Sequence, residues 1–148
     1  MKFALNSKNT RITVDILMVV FLALSFVRWE GNPTFHFIVG TGCTLFFALH
    51  VCIHQKWLKA VTKSFKAGKA GPLKGKYIVD ILLLAVWGTS IVTGFLAIGY
   101  YVYEVAGMSV FGRLHGVTAR LGLALVVVHI YQHRAQIKLY LKMKKGKP

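Results

Sequence analysis

The sequence predicts an all-α protein: an integral membrane four-helix bundle, built from one helical hairpin used twice, with both termini cytoplasmic. Three observations predict this. The apolar residues, 55% of the chain, gather into four blocks, and only 16% of residues are charged, against about a quarter in a soluble domain. The basic residues cluster in alternate connections. Polar and histidine residues recur at equal spacings in the two halves.

The four blocks cover about residues 12–29, 35–54, 77–101 and 111–131. Each approaches the roughly 20 helical residues needed to cross a ~30 Å hydrocarbon layer. Helices are the expected form because a spanning segment must satisfy its own backbone hydrogen bonds. The first block follows Lys2, Lys8 and Arg11 and is interrupted by Asp15. The stretch after it, Arg28 to Pro33, lacks the small-x-small pattern of a cleavage site, so a retained helix is expected rather than a signal peptide. The whole chain, 1–148, reads as one membrane domain.

The charge pattern gives the direction. The formal net charge is +15. Lys2, Lys8 and Arg11 lead the chain. Lys56, Lys59, Lys63, Lys66, Lys69, Lys74 and Lys76 lie between the second and third blocks. Arg134, Lys138, Lys142, Lys144, Lys145 and Lys147 lie in the tail. With four spans these segments share one side, which the positive-inside rule makes cytoplasmic. Trp29 and the Tyr100, Tyr101 and Tyr103 group mark the expected outer interface, and Trp57 and Tyr77 the inner one. Residues 56–76 are expected to form a flexible basic loop, and 134–148 a basic tail. From Lys63 to Lys76 the loop is rich in Lys, Gly and Ala. It suits lipid headgroups, or an acidic soluble partner. No single-strand stacking platform or groove-reading helix is apparent, so nucleic acid is not an expected partner.

An internal repeat underlies the blocks. Val14-Asp15-Ile16-Leu17 opens the first and Val79-Asp80-Ile81-Leu82 the third, with Ser25 and Ser90 at matching places. In the second block His36, His50 and His54 are separated by 14 and 4 residues. In the fourth, His115, His129 and His133 repeat both separations. All six histidines of the chain belong to this pattern.

Ionisable residues inside a membrane are costly and are functional candidates. At 100° per residue, a separation of 14 returns to within about 40° of the starting direction, ~21 Å further along the axis. His36 and His50 therefore share a face, as do His115 and His129. Two parallel helices carrying such pairs suit two haem irons, each clamped axially by two imidazoles. Filling both axial positions favours electron transfer over oxygen binding. Cys43 and Gly122 lie midway on the two stripes, with Gly40, Gly42 and Gly116 nearby; small residues permit close approach. Cys43 and Cys52 are nine residues apart on one helix and cannot bridge. The absence of Cys-x-x-Cys-His excludes covalent haem attachment.

The paired His-x13-His on two parallel helices resembles the di-haem core of cytochrome b from quinol–cytochrome c oxidoreductases. The small size, duplicated hairpin and additional histidines look more like compact bacterial members of the membrane di-haem cytochrome superfamily. These include cytochrome subunits of hydrogenases and formate dehydrogenases. The resemblance covers nearly the whole chain. It implies two haem b groups, an outer one ligated by His36 and His115 and an inner one by His50 and His129. His54 and His133, 18 residues from the first histidines, also lie on the ligand stripe. They are alternative inner ligands, or residues facing a propionate, a quinone headgroup or the lipid headgroups.

Other polar residues have two readings each. Asp15 and Asp80, placed in the first turns of their spans, offset the helix dipole, or support an inner histidine or accept a proton from quinol. Arg28, Arg113 and Arg120 are possible haem-propionate partners; Arg28 and Arg113 also suit headgroup snorkelling, and Glu104 is another partner for Arg120. The expected function is electron transfer across or within the bilayer, between a quinone and a partner redox subunit or soluble carrier. The chain would act as an electron-transfer protein or a cytochrome subunit of a membrane oxidoreductase. The competing readings are transition-metal transport or binding by the histidine stripes, and pH-responsive assembly or sensing. Size and topology suggest the bacterial cytoplasmic (inner) membrane.

Overall fold

The computed structural model describes residues 8–27, 33–69, 71–103 and 109–145. They form four helices, α1 (Lys8–Ser25), α2 (Pro33–Lys66), α3 (Lys74–Tyr103) and α4 (Ser109–Lys145), with a 3-10 turn at Gly71–Leu73. No strand occurs among the described residues, so the all-α class stands. Three helical stretches are long and apolar enough to cross a membrane: Pro33–Lys66, Lys74–Ile98 and Val110–Leu139. The 18 residues of α1 include Lys8, Arg11 and Asp15, and they fall outside that group. Lys2, Arg28, Trp29, Glu104 and Lys147 lie outside the described residues, and the side chains of Tyr100, Tyr101 and Tyr103 are likewise not described.

Two helices run further than expected. The segment 56–76 reads as a flexible loop, yet α2 continues to Lys66; the basic tail from 134 is helical as far as Lys145. The cause is local. Residues 55–66 contain no Gly or Pro and many good helix formers. Leu58, Val61 and Phe65 recur at helical spacing, and Val61 is buried. The 34 residues of α2 extend ~51 Å and the 37 of α4 ~55 Å. Both exceed a ~30 Å apolar layer, so their lysine-rich ends can reach polar surroundings.

Gly68 stops α2. Its φ of 68° lies in the left-handed region that glycine adopts without steric cost. The Lys69 amide donates to the Ser64 carbonyl at 2.9 Å and the Gly68 amide to the Phe65 carbonyl at 3.0 Å. This paired arrangement satisfies carbonyls left over at the helix end. Phe65 then stacks on Tyr77, with ring centroids 4.8 Å apart. The connection to α3 is thus a capped turn and a 3-10 turn.

The chain divides into two compact units, Met1–Lys63 and Ser64–Pro148. The first holds α1 and most of α2. Val14 and Leu22 of α1 are buried there, as are Val39, Cys43 and Ile53 of α2. Phe21 packs on Phe46 at 5.2 Å, and a Cβ at Gly42 would collide with the Phe21 ring. In the second unit Ser90, Thr93 and Ala97 form a buried strip of small residues along α3. Gly122 of α4 admits the Trp87 indole, whose Nε1 would lie 2.7 Å from an added Cβ.

The surfaces of these helices suit lipid. Ile38, Val92 and Val127 are 61%, 58% and 62% exposed, among many large apolar side chains on the outside; that is unusual for a soluble monomer. Threonine hydroxyls return to carbonyls one turn back on their own helix, as Thr44 does to Gly40 at 2.9 Å and Thr118 to Leu114 at 2.8 Å. Such back-bonding satisfies a polar group without water.

Gly68→Ala is expected to cost about 1 kcal/mol or more, because alanine resists that backbone conformation. Gly75→Ala, in open space near the start of α3, should be neutral or slightly stabilising. Thermal unfolding of the two variants in the same detergent checks the contrast.

Candidate functional site

Each unit places a pair of histidines from its second helix against its first helix, in the same way. In the first unit, His36 Nδ1 lies 3.0 Å from the Ser25 carbonyl and His50 Nδ1 lies 2.7 Å from Asp15 Oδ1. In the second, His115 Nδ1 lies 2.8 Å from the Ser90 carbonyl and His129 Nδ1 lies 2.6 Å from Asp80 Oδ1. A carbonyl oxygen or ionised carboxylate can only accept. All four Nδ1 atoms therefore carry the proton and donate it. In a neutral ring this is the Nδ1–H tautomer, which carries its lone pair on Nε2. Metal-ligating histidines are commonly oriented in this manner, by a carbonyl or carboxylate on the opposite ring nitrogen.

The Asp–Ser spacing on the first helices is matched, 15 to 25 and 80 to 90, and so is the His spacing on the second. The serine anchors are nevertheless built differently. Ser25 is the last residue of α1, so its carbonyl is one that the helix leaves without an internal partner. Ser90 lies within α3, where an imidazole can approach only through a gap. Gly94, one turn on, provides it: a Cβ there would lie 2.9 Å from His115 Nδ1 and 3.0 Å from its Cε1. The Ser90 hydroxyl also lies 3.3 Å from His115 Nδ1, and Thr93 donates to the same carbonyl at 3.1 Å.

His54 and His133 sit differently. His54 Nε2 is 3.8 Å from Asp15 Oδ1, and His133 Nε2 is 3.7 Å from Asp80 Oδ2; both exceed hydrogen-bond range. The His54 ring lies 4.5 Å from that of His50, and the His133 ring 4.6 Å from that of His129. His133 Nδ1 is 2.9 Å from Gln136 Oε1. Each carboxylate is thus faced by two imidazoles. The sets Asp15, His50, His54 and Asp80, His129, His133 each bring three donor atoms within 4.8 Å of one another. Such a cluster can also hold a divalent ion.

Asp15 and Asp80 are not in the first turns of their helices: α1 begins at Lys8 and α3 at Lys74. Their expected role at the helix dipole gives way to the histidine contact, which is the alternative role the repeat suggests. Arg120 bends back, its Nε donating to the Gly116 carbonyl at 2.9 Å, while Arg113 is exposed on α4. Arg28 lies outside the described residues. Sequence reasoning missed the two serine carbonyls and Gly94. The matched serines were a signal, but a main-chain acceptor leaves no mark on residue type.

Comparison with protein-family models, curated proteins and solved structures gave no match.

Gly94→Ala should force His115 off the Ser90 carbonyl and destabilise the second unit by about 1–3 kcal/mol, the usual range for overpacking. The thermal midpoint in detergent reads the loss. A midpoint equal to that of the parent would show that the ring does not need the gap.

Proposed function

We propose that the chain is a di-haem b-type membrane cytochrome that carries electrons across or within the bilayer, between a quinone pool and a partner redox protein. The observation that carries this reading is the shared posture of four histidines. His36, His50, His115 and His129 each donate Nδ1–H to an acceptor on the neighbouring helix, which prepares Nε2 for an iron. The donor set suits haem: four imidazoles, spaced 14 apart on each helix, are the number that two bis-histidine groups need. His36 with His115 would hold one group, and His50 with His129 the other. The haem supplies reversible one-electron exchange at low-spin iron; the protein supplies ligand orientation and an apolar setting.

The resemblance to compact members of the membrane di-haem cytochrome superfamily supports the same reading. The lysine distribution supports an inner-membrane location with cytoplasmic termini. The longer contacts of His54 and His133 with their carboxylates favour His50 and His129 as the ligands of the second pair.

A second reading has its own support. The Asp-His-His clusters have donor atoms close enough to share a divalent transition metal, which suits metal binding or transport. The readings differ in which residues matter. In the haem reading His36→Ala or His115→Ala halves the haem content, while His54→Ala and His133→Ala retain both haems. In the metal reading His54→Ala removes an ion and His36→Ala has no effect. Reduced-minus-oxidised visible spectra and metal analysis of the four purified variants decide between them.

A further inference from the structure

α4 carries two arginines inside its membrane-spanning stretch, Val110–Leu139, at the end away from its lysines. Arg113 and Arg120 are seven residues apart. That places them within about 20° of each other round the helix and ~10.5 Å apart along it. Both are exposed. They stand about 140–160° round the helix from His115, whose ring is held against α3. Neither arginine belongs to the α3-facing side.

Arg120 folds back toward the start of the helix. Its Nε donates to the Gly116 carbonyl at 2.9 Å. A Cβ added at Gly116 would meet only the Arg120 Nη2, at 3.7 Å. The guanidinium therefore lies on the bare backbone of Gly116, a residue ~4.5 Å along the axis from Arg113. The bond to Gly116 uses one of five N–H donors. A charge in an apolar layer is costly unless an anion meets it. The acids among the described residues are Asp15 and Asp80, and each is held by a histidine of its own unit.

The surrounding surface identifies the anion. Val117, Leu121 and Val127, on or beside the same side of α4 and further from its start, are exposed. A cationic pair at one end of an apolar helix surface matches an amphiphile with an anionic head and alkyl chains. Guanidinium forks engage phosphate oxygens in pairs, which an ammonium does not. Both positions are arginine in a chain whose basic residues are mostly lysine.

We propose that Arg113, Gly116 and Arg120 form a binding site for the phosphate of an anionic phospholipid, whose acyl chains run along Val117 and Val127. The site lies wholly on α4 and is independent of the di-haem reading.

The test is native mass spectrometry of the whole chain in detergent, stripped of lipid and titrated with phosphatidylglycerol, phosphatidylcholine or inorganic phosphate. The parent should hold one phosphatidylglycerol about tenfold or more tighter than phosphatidylcholine, as two cations beside an anionic head imply. Arg113→Gln and Arg120→Gln should each weaken that lipid by about tenfold, the loss of one charge-assisted hydrogen bond, and leave phosphatidylcholine unchanged. Lys56→Gln and Lys59→Gln, on α2, should bind as the parent does. Gly116→Leu keeps both charges and fills the surface beneath the guanidinium. It gives a second route should the glutamine variants aggregate, and it should weaken phosphatidylglycerol as well. Equal binding of the two lipids, parent affinity in the arginine and Gly116 variants, or displacement of the lipid by equimolar inorganic phosphate would overturn the proposal. Haem lost from the arginine variants with lipid binding retained would assign the guanidinium to a propionate, and also overturns it.

Discussion

An imidazole carried into an apolar layer must place its Nδ1 proton on some acceptor, because no water is there to take it. In this protein the acceptor comes each time from the antiparallel neighbour: a main-chain carbonyl for His36 and His115, a carboxylate for His50 and His129. Much else follows from that requirement. It ties the second helix of each unit to the first at two levels. It explains why an aspartate is tolerated in an apolar helix, where a charge is costly unless partnered. It also places the ring proton on Nδ1.

Much of this was legible in the sequence. The helices could be read from the apolar blocks, and the paired histidine faces from the 14-residue spacing. The equivalence of Asp15 with Asp80 and of Ser25 with Ser90 could be read from the repeat. The helix ends could not. Residues 55–66 look like a basic linker by composition, but their helical course depends on the absence of a breaker before Gly68, and on burial of Val61. The serine role was hidden because its working atom is a carbonyl that every residue possesses. Gly94 was hidden because its importance lies in an absent atom: only the approach of the His115 ring shows that a Cβ would intrude. Asp15 and Asp80 fall in the first turns of the apolar blocks, whereas the helices begin earlier, at Lys8 and Lys74.

The two units solve the same problem with different local means. One exploits the natural end of α1 to expose the Ser25 carbonyl; the other cuts a gap at Gly94 inside a longer α3. Packing diverges similarly. Trp87 fills space against Gly122, while the repeat-equivalent positions are held by Leu22 and Cys43, both buried. A large residue opposite a small one in one unit corresponds to two intermediate ones in the other, the kind of exchange that conserves volume in a packed interior. The histidine anchoring, by contrast, is kept in both units. The four 14-spaced histidines make hydrogen bonds to the first helix of their unit, whereas His54 and His133 lie 3.8 and 3.7 Å from their carboxylates.

The most direct test of the central claim is a count of haem and metal in the same purified sample. Pyridine haemochrome analysis gives haem per chain, and elemental analysis gives iron, zinc and copper. The account predicts two haems per chain, iron equal to haem, low-spin bis-imidazole bands, and no stoichiometric zinc or copper. A colourless protein with one or two divalent ions per chain, after expression with ample haem, would contradict it and move the assignment to the Asp-His-His clusters.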